Sequence, residues 1–238
     1  VHSTGYIIKF TVILTLISGL ILSGMFYATE PAARKNEQVF AKRGILTAIE
    51  PYLDKPLSQF SDDEVLDLFH TQMDQFVVNT KGEVLKDLKA DDISIEAEFK
   101  KPAEARRLPV YVYKSKEGPI TILSVYGNGL WDKIWGYIAL KPDYNTIAGA
   151  AFDHKGETPG LGAEIKDNPA FRKRFIGKKI FDDAGRLVSV HVKKKVTDPA
   201  HEVDGITGAT LTSDGVSDML VHGIGLYEAF LKNKLPKS

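Results

Sequence analysis

The chain has 238 residues, with 31 Lys+Arg against 31 Asp+Glu. That length allows one or two domains with a sizeable core, and the balanced charge lacks the basic excess of nucleic-acid binders, so no nucleic-acid partner is expected. No cysteine is present, which excludes thiol catalysis, disulfides and cysteine-ligated iron–sulfur or zinc centres.

From Ile7 to Ala28 the chain is almost wholly apolar, broken by Lys9 and small hydroxyl residues. At about 1.5 Å per residue, the roughly 19 residues after Lys9 nearly match a bilayer core of about 30 Å. The run outlasts a signal-peptide h-region, and Tyr27-Ala28-Thr29 makes a poor cleavage site, so a retained single-span anchor is expected. Lys9 precedes the span while Arg34, Lys35, Lys42 and Arg43 follow it. Charge alone would leave the following domain in the cytoplasm, but that rule is weak for a long translocated domain.

Asn36 to Ile49 reads as a helix closed by Pro51. Ser61-Asp62-Asp63-Glu64 is a capping box, and Val65, Leu68, Phe69, Met73 and Phe76 continue from it at helical spacing. His70 and His154 each lack a second His at i+3 or i+4, so no metal site is expected. Short extended pieces occupy Lys81 to Phe99, and Lys100 to Arg107 is a polar linker. Val110–Tyr113, Ile120–Tyr126, Ile134–Leu140 and Thr146–Phe152 read as strands with Gly and Pro between them. They leave little room for crossover helices, which implies a largely antiparallel sheet. Asn168-Pro169 starts a short helix with Phe171 and Phe175 inward. Ile180-Phe181 and Arg186 to Val192 predict a hairpin turning at Asp182-Asp183-Ala184-Gly185. The fold class is α+β, a single N-terminal transmembrane helix followed by a soluble domain with a largely antiparallel sheet and flanking helices.

The chemistry gathers in three small-residue stretches. In the first, Asp204 to Ser213, four hydroxyls, two glycines and a carboxylate precede Val216, Met219, Leu220, Ile224, Tyr227 and Leu231 at helical spacing. This predicts a helix from about Asp214 to Lys232 with Ser213 as its N-cap. Free N–H groups and the positive end of the helix dipole there suit a phosphate; an ordinary Gly turn with a Ser/Thr cap is the plainer alternative. A hydrolase with Thr210 or Ser213 as nucleophile would need a base such as His201, and no Gly-x-Ser-x-Gly elbow accompanies it. The second stretch, His154 to Gly162, holds three glycines and a proline, so a ligand can approach its backbone closely. The third, Gly127-Asn128-Gly129-Leu130-Trp131 with Trp135-Gly136-Tyr137 beyond it, offers an indole face for stacking. The basic run Lys193-Lys194-Lys195 reads as a solvated strand end.

Asp204-x-x-Thr207-Gly208-Ala209-Thr210 resembles the flavinylation motif of the FMN-binding domain family. There the last threonine carries FMN through a phosphoester bond installed by a dedicated flavin transferase. Glu157-Thr158-Pro159-Gly160-Leu161-Gly162, about 50 residues earlier, resembles the same family's second signature, a loop bordering the isoalloxazine ring. With the Gly-x-Gly-Leu-Trp pattern and the single span, essentially the whole chain is similar to the C-subunit family of sodium-translocating NADH:quinone oxidoreductases. The match thins between Tyr52 and Arg107. The alternative is the G-subunit family of the related ferredoxin-oxidising complex, which shares the span and the Thr-Gly-Ala-Thr loop, has a shorter N-terminal region and lacks the Leu-Trp pattern.

The resemblance implies covalent FMN on Thr210, with Thr207, Gly208 and Ala209 lining the phosphate. Asp204 would be read by the transferase or would fix the loop. Thr158, Gly160, Leu161 and Gly162 would border the ring, Trp131 would face it, and Lys193 or Lys194 would offset its charge. It also implies three segments: 1–33 as anchor, 34–107 as a helical and extended part, and 108–238 as the FMN-binding domain. That domain would face the periplasm from the bacterial inner membrane. Single electrons would arrive from an iron–sulfur centre in neighbouring membrane subunits and leave to a covalent FMN in the B-subunit flavoprotein, while sodium export and quinone reduction belong to the whole complex. A membrane-anchored scaffold without redox chemistry is the competing class; a yellow chromophore surviving denaturation would exclude it.

Overall fold

The computed structural model describes residues 3–235. Helix α1 runs unbroken from Thr4 to Thr47, so the expected span and the expected Asn36–Ile49 helix are one element. Thr15 Oγ1 within the apolar run donates to the Thr11 carbonyl, and Thr29 Oγ1 just past it to that of Met25, both at 2.8 Å. Bonding back to the preceding turn lets such hydroxyls sit among apolar neighbours. By length and composition α1 is able to cross a membrane, its most apolar stretch having a mean hydropathy of 2.1. The chain divides into two compact units, one ending at Ala41 and the other starting at Lys42.

The second unit begins with the end of α1 and a single turn at Glu50–Tyr52 that carries Pro51. Helix α2 (Asp62–Gln72) opens on the capping box, with Ser61 Oγ accepting from Glu64 N and Glu64 accepting from Ser61 N. The helix stops there. Met73–Asn79 is strand β1 rather than the continuation that Met73 and Phe76 had implied. All seven of its residues pair antiparallel with β3 (Arg107–Ser115), and that ladder outweighs an apolar spacing readable either way. A two-residue strand β2 (Val84–Leu85) and helix α3 (Ile95–Phe99, capped by Ser94) occupy the segment expected to be extended.

Strands β4 (Gly118–Asn128), β5 (Lys133–Leu140) and β6 (Ile147–His154) follow as a meander, giving one antiparallel sheet in the order β2-β1-β3-β4-β5-β6. Ile120 to Tyr126 is buried throughout, because both faces of β4 are covered. On one face Phe69 of α2 meets Tyr111 with ring centroids 5.7 Å apart, and Phe99 of α3 meets Tyr126 at 5.5 Å. The other face carries the main core, where Leu123, Val125 and Ile138 pack with Val216, Met219 and Leu220.

Short helices α4 (Glu164–Asp167) and α5 (Pro169–Lys173) come next. As expected, Asn168 Oδ1 caps α5 and Phe171 and Phe175 point inward, both fully buried. The expected hairpin reduces to one bridge, Phe181 to Leu187: Asp182 holds the turn by accepting from Ala184 N and Arg186 N, but Ser189 beyond it takes a left-handed φ of 62°. The residues beyond turn away, and β7 (His191–Lys193) pairs in parallel with β8 (Glu202–Asp204). The last helix also differs from expectation. It starts at Thr210 as α6 (Thr210–Gly225) and resumes after a break as α7 (Glu228–Lys232).

Candidate functional site

The Asp204–Ser213 stretch leaves β8 and turns straight into α6. Arg174, one residue past α5, fastens the entry, its Nη1 donating to the carbonyls of Asp204 at 2.7 Å and Gly205 at 3.1 Å. Gly208 sits at φ 80°, a left-handed conformation that glycine adopts without steric cost. Ser213 is not the N-cap. It lies one turn inside α6, buried, and its Oγ accepts from Ile206 N at 3.3 Å, so it braces the loop from within. The first intrahelical bond runs from Ser213 N to the Ala209 carbonyl at 2.9 Å. The N–H groups of Thr210, Leu211 and Thr212 therefore open the helix without an intrahelical acceptor. Ala209 is buried beneath them, while Thr207 and Thr210 are exposed.

Beside this turn lies a cleft of about 260 Å³ lined by Lys193, Lys194, Thr207, Gly208, Thr210 and Asp214. The parallel β7–β8 pair sets Lys193 opposite Asp204, and Gly205 N donates to the Lys193 carbonyl at 2.8 Å. That parallel pairing is what brings the basic run to the threonine loop.

The ring-side candidates come to the same place. Leu161 N and Ala163 N both donate to the Thr158 carbonyl at 3.1 Å, closing a tight turn with Gly160 at φ 72°. A Cβ on Gly160 would meet nothing within 4 Å, so the turn's conformation calls for glycine and its outer side is open. Leu161 reaches Gly208, where a Cβ would lie 3.0 Å from Leu161 Cδ2. Leu130, Trp131, Leu161 and Leu211 are all exposed, Trp131 most of all at 69%. Two loops and the first turn of α6 thus present exposed apolar side chains.

Sequence reasoning missed the residue that joins those loops. Glu157 is buried, at 4% exposure. Its Oε1 accepts from Trp131 N at 2.9 Å and its Oε2 from Thr212 Oγ1 at 2.7 Å. The signal was its place at the head of Glu-Thr-Pro-Gly-Leu-Gly; nothing in the sequence pointed to Arg174. His201 is engaged elsewhere, with Nδ1 2.8 Å from Asp198 Oδ2 and Nε2 3.3 Å from the Phe181 carbonyl. The His201 bond holds the Asp198 carboxyl below its usual range. Neither ring nitrogen bonds Thr210 or Ser213, which removes the base that the hydrolase reading needed. A larger cleft of about 530 Å³ lies between Thr47–Pro56 and α5, carries the Glu50–Arg172 ion pair, and contains none of the three stretches.

The FMN-binding domain family matches residues 129–224, which span the ring-side loop, the threonine loop and most of α6. The C subunit of the Na(+)-translocating NADH-quinone reductase of Neisseria meningitidis serogroup A is 34% identical, with 89% of this chain and 86% of that protein covered. The corresponding C subunit of Pseudomonas aeruginosa is 33% identical, covering 98% and 96%. The crystal structure of the C subunit from Parabacteroides distasonis superposes with a TM-score of 0.74 at 36% identity, covering 84% of this chain and 94% of that one. NqrC of Shewanella oneidensis gives 0.69 at 28% identity, covering 85% and 98%. With identity at this level over nearly the full length of both partners, the chain belongs to the C-subunit family of Na(+)-translocating NADH-quinone reductases.

Proposed function

We propose that this chain is a membrane-anchored flavoprotein subunit. It carries FMN as a phosphoester on Thr210 and relays single electrons within a sodium-translocating NADH:quinone oxidoreductase. The observation that carries the reading is the Thr210 turn. An exposed hydroxyl stands at the first position of a 16-residue helix, after a left-handed glycine and beside a cleft lined by two lysines. The donor set fits a phosphorylated flavin. Backbone N–H groups and the helix dipole favour an esterified phosphate, Lys193 and Lys194 supply positive charge, and Leu161 and Trp131 offer apolar surface for a ring system. Asp214 on the cleft wall opposes that charge.

When bound, the flavin supplies the one-electron chemistry. The chain's own residues hold and orient it. Thr210 Oγ provides the covalent link, Gly208 lets the backbone come close, and Arg174 and Ser213 keep the loop in one shape. Asp204, with its exposed side chain, is the residue a flavin transferase would read. Helix α1 anchors the protein in the bacterial inner membrane, with residues 34–107 and 108–238 forming the periplasmic part. Electron partners would be an iron–sulfur-bearing membrane protein and the B-subunit flavoprotein of the same complex. Sodium export and ubiquinone reduction belong to the whole assembly.

The test is the full chain co-expressed with a flavin transferase and run on a denaturing gel under ultraviolet light. The wild type should fluoresce. Thr210→Val keeps the branched shape without the hydroxyl and should be dark, while Thr207→Val and Thr212→Val should keep a band. A bright Thr210→Val band moves the attachment site and overturns the assignment. A dark wild type returns the chain to the scaffold class.

A further inference from the structure

Both ends of the ring-side loop rest on one buried carboxylate. Glu157 begins the loop. At the other end, a Cβ on Gly162 would lie 2.3 Å from Glu157 Oε2 and 2.6 Å from Thr212 Oγ1. A Cβ on Gly129 would lie 2.4 Å from Glu157 Oε1. No side chain fits at either position, so two glycines make room for this carboxylate between three loops. Among the described residues its oxygens are met by a backbone N–H and a hydroxyl rather than by a cation. Thr212, at 1% exposure, is equally enclosed. A carboxylate is the side chain that accepts on both sides at once, and Trp131 N is a donor only. Both are charge-assisted bonds, the stronger kind.

We infer that Glu157 is a positioning residue of the flavin site: through Thr212 and the Trp131 backbone it holds the attachment turn of α6, the ring-side loop and the indole-bearing hairpin in register. The inference rests on the attachment reading above and adds to it how the site keeps its shape. Thr212 is two residues from Thr210, so fixing its side chain fixes the first turn of the helix. Thr158 to Gly162 starts beside Glu157 and passes its carboxylate closely again at Gly162, so the Glu157–Thr212 bond ties the start of the loop to that turn.

The test uses the full chain in detergent with a flavin transferase and its flavin nucleotide donor. It follows the rate of covalent labelling and the visible circular dichroism of the bound flavin. Thr212→Val removes one bond at nearly constant volume. It should label about tenfold more slowly, as expected for a lost charge-assisted bond, and should show a changed flavin dichroism. Thr212→Ser restores the hydroxyl and should recover the rate and the spectrum. Glu157→Gln can still accept from Trp131 N and donate to Thr212 Oγ1, so it should label faster than Glu157→Ala. A labelled wild type whose Thr212→Val variant matches it in rate and dichroism overturns this inference alone. A wild type that takes no covalent flavin overturns the attachment reading and this inference together.

Discussion

Gly215→Ala should destabilise the protein, although helix propensity taken alone predicts the reverse. Gly215 lies in the second turn of α6, and in an open helix the change to Ala gains up to about 1 kcal/mol. Here the new methyl would sit 2.4 Å from the Asn128 carbonyl oxygen and 3.3 Å from Gly129 Cα. Both are backbone atoms, so no flexible tip can swing aside. The row continues along the helix. Met219 presses on Gly127, whose Cβ would be 2.8 Å from Met219 Cβ, and a Cβ on Gly223 would be 2.8 Å from Val125 Cγ1. Relieving the clash means lifting the start of α6 from β4, and overpacking of this kind costs about 1–3 kcal/mol. A backbone atom at 2.4 Å puts the clash in the upper part of that range, so after the propensity gain the net expectation is a loss of about 1–2 kcal/mol. With a urea m-value of about 2 kcal/mol/M, the midpoint should fall by about 0.5–1 M. Gly225→Ala is the control, since its Cβ would meet nothing within 4 Å; it should leave the midpoint unchanged or raise it. The assay is urea unfolding of the full chain in detergent, followed by intrinsic fluorescence. A Gly215→Ala midpoint equal to or above that of the wild type would refute the close-packing argument.

Tyr227→Phe leaves the carbonyls of Pro109 and Ser124 without the buried hydroxyl that lies 2.9 and 3.1 Å from them; a loss of about 1–3 kcal/mol is expected in the same assay, and an unchanged midpoint contradicts it. Glu98 is buried, which pushes its carboxyl pKa up, but hydrogen bonds from Arg107 and Lys101 outweigh this and bring it down to about 2. Its contribution is therefore complete above the unfolded value near 4.5 and is lost as pH falls towards 2, a change of about 2 kcal/mol after allowing for the partly exposed partners. Glu98→Gln should flatten that part of the acid-unfolding curve, and a variant with the wild-type acid slope argues against the pairing. Gly160→Val puts a branched side chain at φ 72°; backbone strain should cost about 1–2 kcal/mol. If the loop borders the ring, the covalent band should persist while the flavin absorption shifts, so an unshifted spectrum counts against the ring-side placement.

Features set by short-range chemistry were legible in the sequence. The Ser61–Glu64 box and the Asn168-Pro169 cap are each complete within four residues, and both form as read. The apolar run and the four strands after Val110 are local patterns of hydrophobicity, and they too appear. The threonine loop and the ring-side loop could be recognised because their small residues permit backbone approaches that larger ones would block. Sequence by itself therefore determined the N-terminal apolar helix, the antiparallel α+β class and the positions of the three small-residue stretches.

Tertiary structure decided what depends on partners that the local pattern does not name. Met73 to Asn79 became a strand because β3, some 30 residues away, offered a ladder that the apolar spacing could not foretell. Ser213 gave up the cap position because Ile206 N needs its oxygen and the helix can start four residues earlier over a buried Ala209. Lys193 reached the threonine loop through a parallel pairing that no local pattern announces. Glu157 reads as an ordinary loop acid until Trp131 and Thr212, 26 and 55 residues away, close on its two oxygens. A buried carboxylate is tolerated only where donors meet it, and those donors are assembled by the sheet and by α6 rather than by neighbours in the chain.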